Sequence, residues 1–220
     1  MSRFFGKRTA GKVVQMDRFR SGKSLSPIRQ AEAYWSALRS GSAVPRRTQI
    51  DPRGLENILE YTFILERIAP GVARFRLAGH HLNDLAGMEV RGMPLTVFFT
   101  AAARAQIGGV LEHMFDTPAV AELSMKSTRV RTPIEARMIL LPLASETGEV
   151  TRVLGVLIAD GPITNDFVRF DLAATTLRPV NGTAGATPSV TNPAPRVPVH
   201  GFGEAPEPFD APESHLRLVK

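Results

Sequence analysis

The order of the strand-like segments constrains this chain most: two lie close together, a helical stretch follows, and three more complete the series. Residues 61–69 are rich in β-branched and aromatic side chains, Pro70-Gly71 supplies a turn, and Val72 to Ala78 follows. In that second segment Ala73, Phe75 and Leu77 alternate with Val72, Arg74 and Arg76. A period of two predicts one buried and one wetter face. Three further strands are predicted at 119–126, 134–143 and 150–159, each with partial alternation. The last two are joined by Ser145-Glu146-Thr147-Gly148, a compact turn with Gly where positive φ is cheap. Hairpin, helices, then three consecutive strands predict an α+β domain: a five-stranded antiparallel sheet with helices segregated on one face.

The helical segments carry their own punctuation. Ser26 is a plausible N-cap and Pro27 suits the first helical position. Ile28, Ala31, Trp35 and Leu38 then form one apolar stripe, and Gly41 ends the N-terminal helix. Asp51-Pro52 opens a second short helix to about Leu59. After Gly79, a short helix over 80–86 is stopped by Gly87, and another turn spans 88–95. Thr100 caps a longer helix to about Phe115, with Ala103, Ile107, Val110, Leu111 and Met114 on one side. Gly108-Gly109 inside it costs about 1–2 kcal/mol of helix propensity, so the pair marks either a close approach or a kink.

Charge and composition delimit what surrounds this domain. The net charge of +6 lies wholly in residues 1–25, where seven basic side chains (Arg3, Lys7, Arg8, Lys12, Arg18, Arg20 and Lys23) face one acid, Asp17. The rest of the chain has 20 basic and 20 acidic residues and is neutral, so a DNA-binding body is not indicated. Residues 1–25 read as a flexible basic tail, solvated or steered towards anionic surfaces. Residues 26–161 form the domain. Residues 162–220 read as a C-terminal tail, with seven Pro and four Gly in its last forty residues. Within it, 162–180, with Phe167, Phe170 and Leu172, either packs back on the domain or belongs to the tail. The chain contains no Cys, so disulfides, thiolate metal sites and flavin–cysteinyl photochemistry are excluded. No segment approaches the roughly 20 apolar residues of a membrane span, and the first 25 residues lack the apolar region of a secretory signal. The cytoplasm is the expected location.

Several segments resemble a known family. Tyr34-Trp35 through Leu38-Arg39-Ser40-Gly41, then Val44-Pro45-Arg46-Arg47 and Ile50-Asp51-Pro52, are similar to the lead-in of a bacterial PAS family. This is the single-PAS family common in alphaproteobacteria and once catalogued as a domain of unknown function. Phe75-Arg76-Leu77-Ala78-Gly79, followed by Gly87 and Gly92, resembles its hairpin-to-helix signature; Leu141-Pro142-Leu143 and Leu154-Gly155 resemble its last two strands. The resemblance covers roughly residues 30–160. It implies a sensor or protein-interaction domain, often dimeric, that signals through a partner because no output domain follows in the chain. The sequence departs from the family at His80, where a small hydroxyl residue is expected after Gly79.

The candidate site follows from these placements. Phe75 and Leu77 on the sheet, with Ile107, Val110 and Met114 on the long helix, are expected to face each other, as core or as the lining of a ligand pocket. His80 and His81 begin a helix where PAS pockets open and are candidate lining residues. A haem-binding PAS places a His on the long helix, where this chain has His113, but that residue reads first as a partly exposed side chain near a helix end. No cofactor is otherwise implied. The helix carrying Trp35 and Leu38 either caps the open sheet face or pairs with a second copy. Leu216, Leu218 and Val219 are a candidate docking segment for a partner. No nucleophile elbow, phosphate loop or zinc-protease motif occurs, and the expected role is non-catalytic signalling. The alternative is a nucleic-acid-associated regulator using residues 1–25 as a basic arm.

Overall fold

The computed structural model describes residue 19 and residues 21–41, 43–128, 133–163 and 167–180. Most of the basic arm, and the tail from residue 181 with Leu216, Leu218 and Val219, lie outside the described residues.

Helix α1 (Ser26–Ala37) comes first, followed by a 3₁₀ segment from Pro52 to Tyr61. The hairpin β1 (Thr62–Ala69) and β2 (Val72–Ala78) follows, then α2 (His80–Ala86), a 3₁₀ turn (Leu95–Phe98) and α3 (Ala101–Asp116). Strands β3 (Ala119–Ser127), β4 (Glu135–Ala144), β5 (Val150–Asp160) and β6 (Phe170–Pro179) complete the domain. They form one antiparallel sheet in the order β2-β1-β5-β4-β3-β6.

Two features differ from the five-stranded, one-sided expectation. The sheet has a sixth strand, because residues 170–179 pair with β3 from Ser127↔Phe170 to Ala119↔Pro179. Most of β6 is exposed or half-buried, so its sequence carries little of the apolar period that marks a strand. Helical elements also cover both faces. On one, α2, the 95–98 turn and α3 bury Phe63, Leu65, Phe75, Leu123, Met138, Leu140, Val153 and Leu157. On the other, α1 and the 52–61 segment bury Ile64, Ile139, Leu141, Leu143, Leu154, Val156 and Ile158. The near-continuous apolar runs Met138–Leu143 and Val153–Ala159 are therefore two-sided strands, and their partial alternation reflects burial from both directions.

Trp35 anchors α1 to the sheet. Its side chain is 2% exposed, and its indole N–H donates to the carbonyl of Pro142 on β4 at 2.8 Å. Its neighbour Tyr34 holds the start of the 3₁₀ segment, where the phenol oxygen accepts from the Asp51 amide at 2.8 Å. Arg178 on β6 ties the far side of α1 down, donating to Glu32 at 2.6 Å and to Glu122 at 2.7 Å. Of the two roles the sequence leaves open for this helix, Trp35 serves the first: α1 caps the sheet.

Local details also depart from expectation. Ser26 is the first helical residue rather than the cap, and the N-cap position falls to Leu25, which makes no side-chain cap bond. The segment after Asp51 is 3₁₀, with the Asp51 carboxylate accepting from the Arg53 amide. The folded body starts before residue 26, since Phe19 and Leu25 are buried against the α1 side of the sheet. Gly108 marks a close approach: a side chain at Gly71, in the β1–β2 turn at φ +65°, would meet the Gly108 carbonyl at 3.2 Å.

Trp35→Phe is expected to lower stability by about 1–3 kcal/mol, through the lost hydrogen bond to Pro142 and a smaller ring. Thermal melts would register this, and light scattering would give an unchanged mass. A variant with native stability but altered mass would restore Trp35 as an intermolecular contact.

Candidate functional site

The structure separates the sequence-predicted site residues into three places. Phe75, Ile107 and Met114 have 0% exposure and share one core with half-buried Val110. The Phe75 ring packs edge-on against Phe63 at 5.4 Å and Phe98 at 5.8 Å between centroids. All four thus belong to the core between the sheet and α3.

Leu77 does not join them. The β1–β2 register runs Leu65↔Phe75 and then Ile64↔Leu77, leaving Arg76 as the extra residue of a β-bulge. Leu65 belongs to the α3-side core and Ile64 to the α1-side core. The bulge therefore turns Leu77 to the opposite face from Phe75, where it is 52% exposed. The expected alternation of Ala73, Phe75 and Leu77 holds for the first two residues and breaks at Arg76.

On that opposite face Leu77 borders an apolar groove of about 170 Å³. Its lining includes Leu55 and Leu59 from the 3₁₀ segment, Ile64 from β1 and Leu154 from β5, with Arg47 also present. Leu59 is itself 43% exposed. The end of the groove near Ala78 and Gly79 is tightly built. A side chain at Gly79 would lie 2.2 Å from the Glu60 carbonyl, so the residue after β2 must be glycine for the 3₁₀ segment to come this close.

Beyond Ile64 on the same strand is Glu66, with cross-strand neighbours Arg74 and Arg152. Arg76, Arg74 and Arg152 lie 2.7, 3.1 and 3.4 Å from its carboxylate. Burial pushes the Glu66 carboxyl up, but hydrogen bonds from Arg76 and Arg74 and the charges of Arg76 and Arg152 outweigh it and hold the group below its ordinary value. Three guanidinium groups around one carboxylate leave this end of the groove electropositive.

The histidines lie elsewhere. His80 is exposed and pairs with Asp84 at 3.2 Å, one helical turn on. His81 is buried, 7% exposed, and its Nε2 accepts from the Ala159 amide at 3.0 Å. The Ala159 carbonyl accepts from the Lys23 ammonium at 2.6 Å. The reason is topological: β1 begins at Thr62, opposite Val156, so β5 runs on past it with an unpaired edge. His81 and Lys23 take the place of the missing strand. Desolvation, then the charge of Lys23, lower the His81 pKa to about 4 against the weaker opposing charges of Glu60 and Asp84, and the Tyr61 ring stands 5.0 Å away. With Nε2 engaged, His81 is an edge cap. His113 is exposed on α3, facing away from the core that Ile107 and Met114 enter.

Among the described residues, no group of three or more metal-ligating side chains occurs, and no helix is long and apolar enough to cross a membrane. The sequence did not signal the groove, because Leu59 and Leu77 take their places through a 3₁₀ register and a bulge that neither the 3.6 nor the 2.0 period encodes.

One antiparallel sheet with helical layers on both faces is an α+β architecture. The family comparison agrees: the model for the PAS domain matches residues 23–158, more than half of the 220-residue chain, and the protein belongs to that family. No curated protein matches it. Membership points to a sensory or regulatory role.

The His81 geometry sets a pH dependence. The folded-state pKa of about 4 lies below the ordinary 6.5, so the stabilising contribution is complete above pH 6.5 and is lost as pH falls towards 4. The loss is on the order of 3 kcal/mol. Denaturant titrations should show it, and His81→Gln, which cannot take up the proton, should flatten that part of the profile. Parallel profiles for the two proteins would refute this account.

Proposed function

We propose that this protein is a non-catalytic PAS-domain regulator of the cytoplasm that passes its signal in trans by binding a protein partner. The observation that carries the reading is the pair of exposed leucines, Leu59 and Leu77, at the border of an apolar groove on the α1 side of the sheet. Among the described residues Ile68, Met88 and Ile163 are exposed as well, but they do not line this groove; two exposed leucines together at an apolar groove support a place where something else is bound. A binding role rather than a chemical one is supported by the engagement of the titratable groups at the candidate positions. His80 is paired with Asp84, His81 accepts from Ala159, and Glu66 is held by three arginines. The close aromatic packing of Phe75 against Phe63 and Phe98 favours partner binding over a ligand enclosed beside α3. A nucleic-acid role for the basic arm is supported less, because Lys23, its last cation, is bound to Ala159.

The test is site-specific photo-crosslinking of the full chain in its host, with the probe at Leu77 or at His113, followed by native mass spectrometry of the purified protein. The expected result is a discrete protein-sized adduct from Leu77 only, and a native mass free of small molecules. A stoichiometric small molecule in the native spectrum, without adducts, would replace partner binding by ligand sensing among Phe75, Ile107, Val110 and Met114.

A further inference from the structure

The groove has a polarity along its length. At the Gly79 end the Glu60 backbone closes against β2, and the carboxylate of Glu60 lies beside Tyr61, where it contributes to raising the phenol pKa after burial itself. Arg47 also lines the groove, and beyond Ile64 on β1, away from Gly79, stands the Glu66 cluster. Glu66 lies two residues beyond Ile64, and Arg152 lies two residues before Leu154, so each is on the same sheet face as its groove-lining neighbour, about 7 Å away. The side chains of Arg74, Arg76 and Arg152 are 39%, 49% and 39% exposed. Glu66, at 18%, is the more buried partner beneath them. Three guanidinium groups against the one carboxylate of Glu66 leave an excess of positive charge in this cluster. The floor between the two ends is apolar, with Leu55, Leu59, Ile64, Leu77 and Leu154.

Resting on the partner-binding reading above, we propose that the groove takes an acidic amphipathic segment of the partner protein: bulky apolar side chains seat between Leu59 and Leu77, and carboxylates meet the arginine end. The exposed leucines supply the desolvated centre, where such contacts concentrate binding energy. The arginines supply partner choice and encounter rate, and their planar donor forks suit carboxylates. Glu66 keeps the three arginines aligned in the unbound protein and competes with the incoming carboxylates, so it tempers affinity.

The experiment uses the full chain and a labelled synthetic helical peptide of about 14 residues with leucines at helical spacing and glutamates flanking them. A lysine-for-glutamate version is the control, and fluorescence anisotropy is the readout. The acidic peptide is expected to bind about tenfold more tightly than the lysine version, with the difference shrinking at high salt. Leu59→Ser with Leu77→Ser should weaken binding about tenfold, and since both residues are exposed the thermal melt should stay near native. Glu66→Gln should tighten binding roughly threefold by releasing the arginines. Equal affinity for the two peptides, no binding of either, or binding indifferent to the leucine substitutions would overturn the proposal. So would a concentration-dependent dimer abolished by Leu77→Ser, which would make the groove a contact between two copies. Crosslinked adducts at Leu77 together with peptide failure would remove the acidic-segment assignment alone. Failure of both would remove the partner-binding reading itself.

Discussion

Everything in this fold depends on the β4–β5 pair being apolar on both faces. The two strands pair from Glu135↔Asp160 to Ala144↔Val150, and most of their side chains are buried. A strand pair with leucine, isoleucine and valine on both sides is unstable in water unless a layer lies over each face. The helices α2 and α3 supply one layer, and α1 with the 52–61 segment supplies the other. Where the second layer ends, Leu59 and Leu77 remain in solvent, so the candidate site lies at the limit of the core's own cover.

The family-like segments are those where backbone and side chain must come unusually close. Tyr34 and Trp35 fasten α1 to the Asp51 turn and to Pro142, and thereby link the lead-in to the Leu141-Pro142-Leu143 motif across the sheet. The Phe63 ring lies over Gly155, where a side chain would come within 2.2 Å of it. Gly79 meets the Glu60 carbonyl in the same way. These are steric requirements between elements distant in sequence, which is why no single segment discloses its role when read alone.

Much of the fold was nonetheless legible. Turn chemistry and period placed β1 to β5, α2 and α3 near their observed positions, because each is an amphipathic or wholly buried element bounded by Gly or Pro. The sixth strand was not legible: its register with β3 is set by backbone pairing, while Asp171, Ala173, Ala174 and Arg178 bring no apolar stripe to mark it. Of the site, the apolar periods marked Phe75, Ile107 and Met114 as inward-facing, and the three share one core. The side on which Leu77 lies did not, because it is decided by one unpaired residue. The role of His81 was hidden as well, since it depends on β1 starting later than the end of β5 requires.

That one unpaired residue ties the two faces of the sheet together. Through the bulge at Arg76, β2 gives Phe75 to the interior beneath α3 and Leu77 to the groove on the reverse, within three consecutive positions. One short strand therefore serves both faces of the sheet. Leu77 and the Phe63–Phe75–Phe98 stack are joined by the β2 backbone with no helix or loop between them, and the hairpin turn at Gly71 sits against α3 at Gly108.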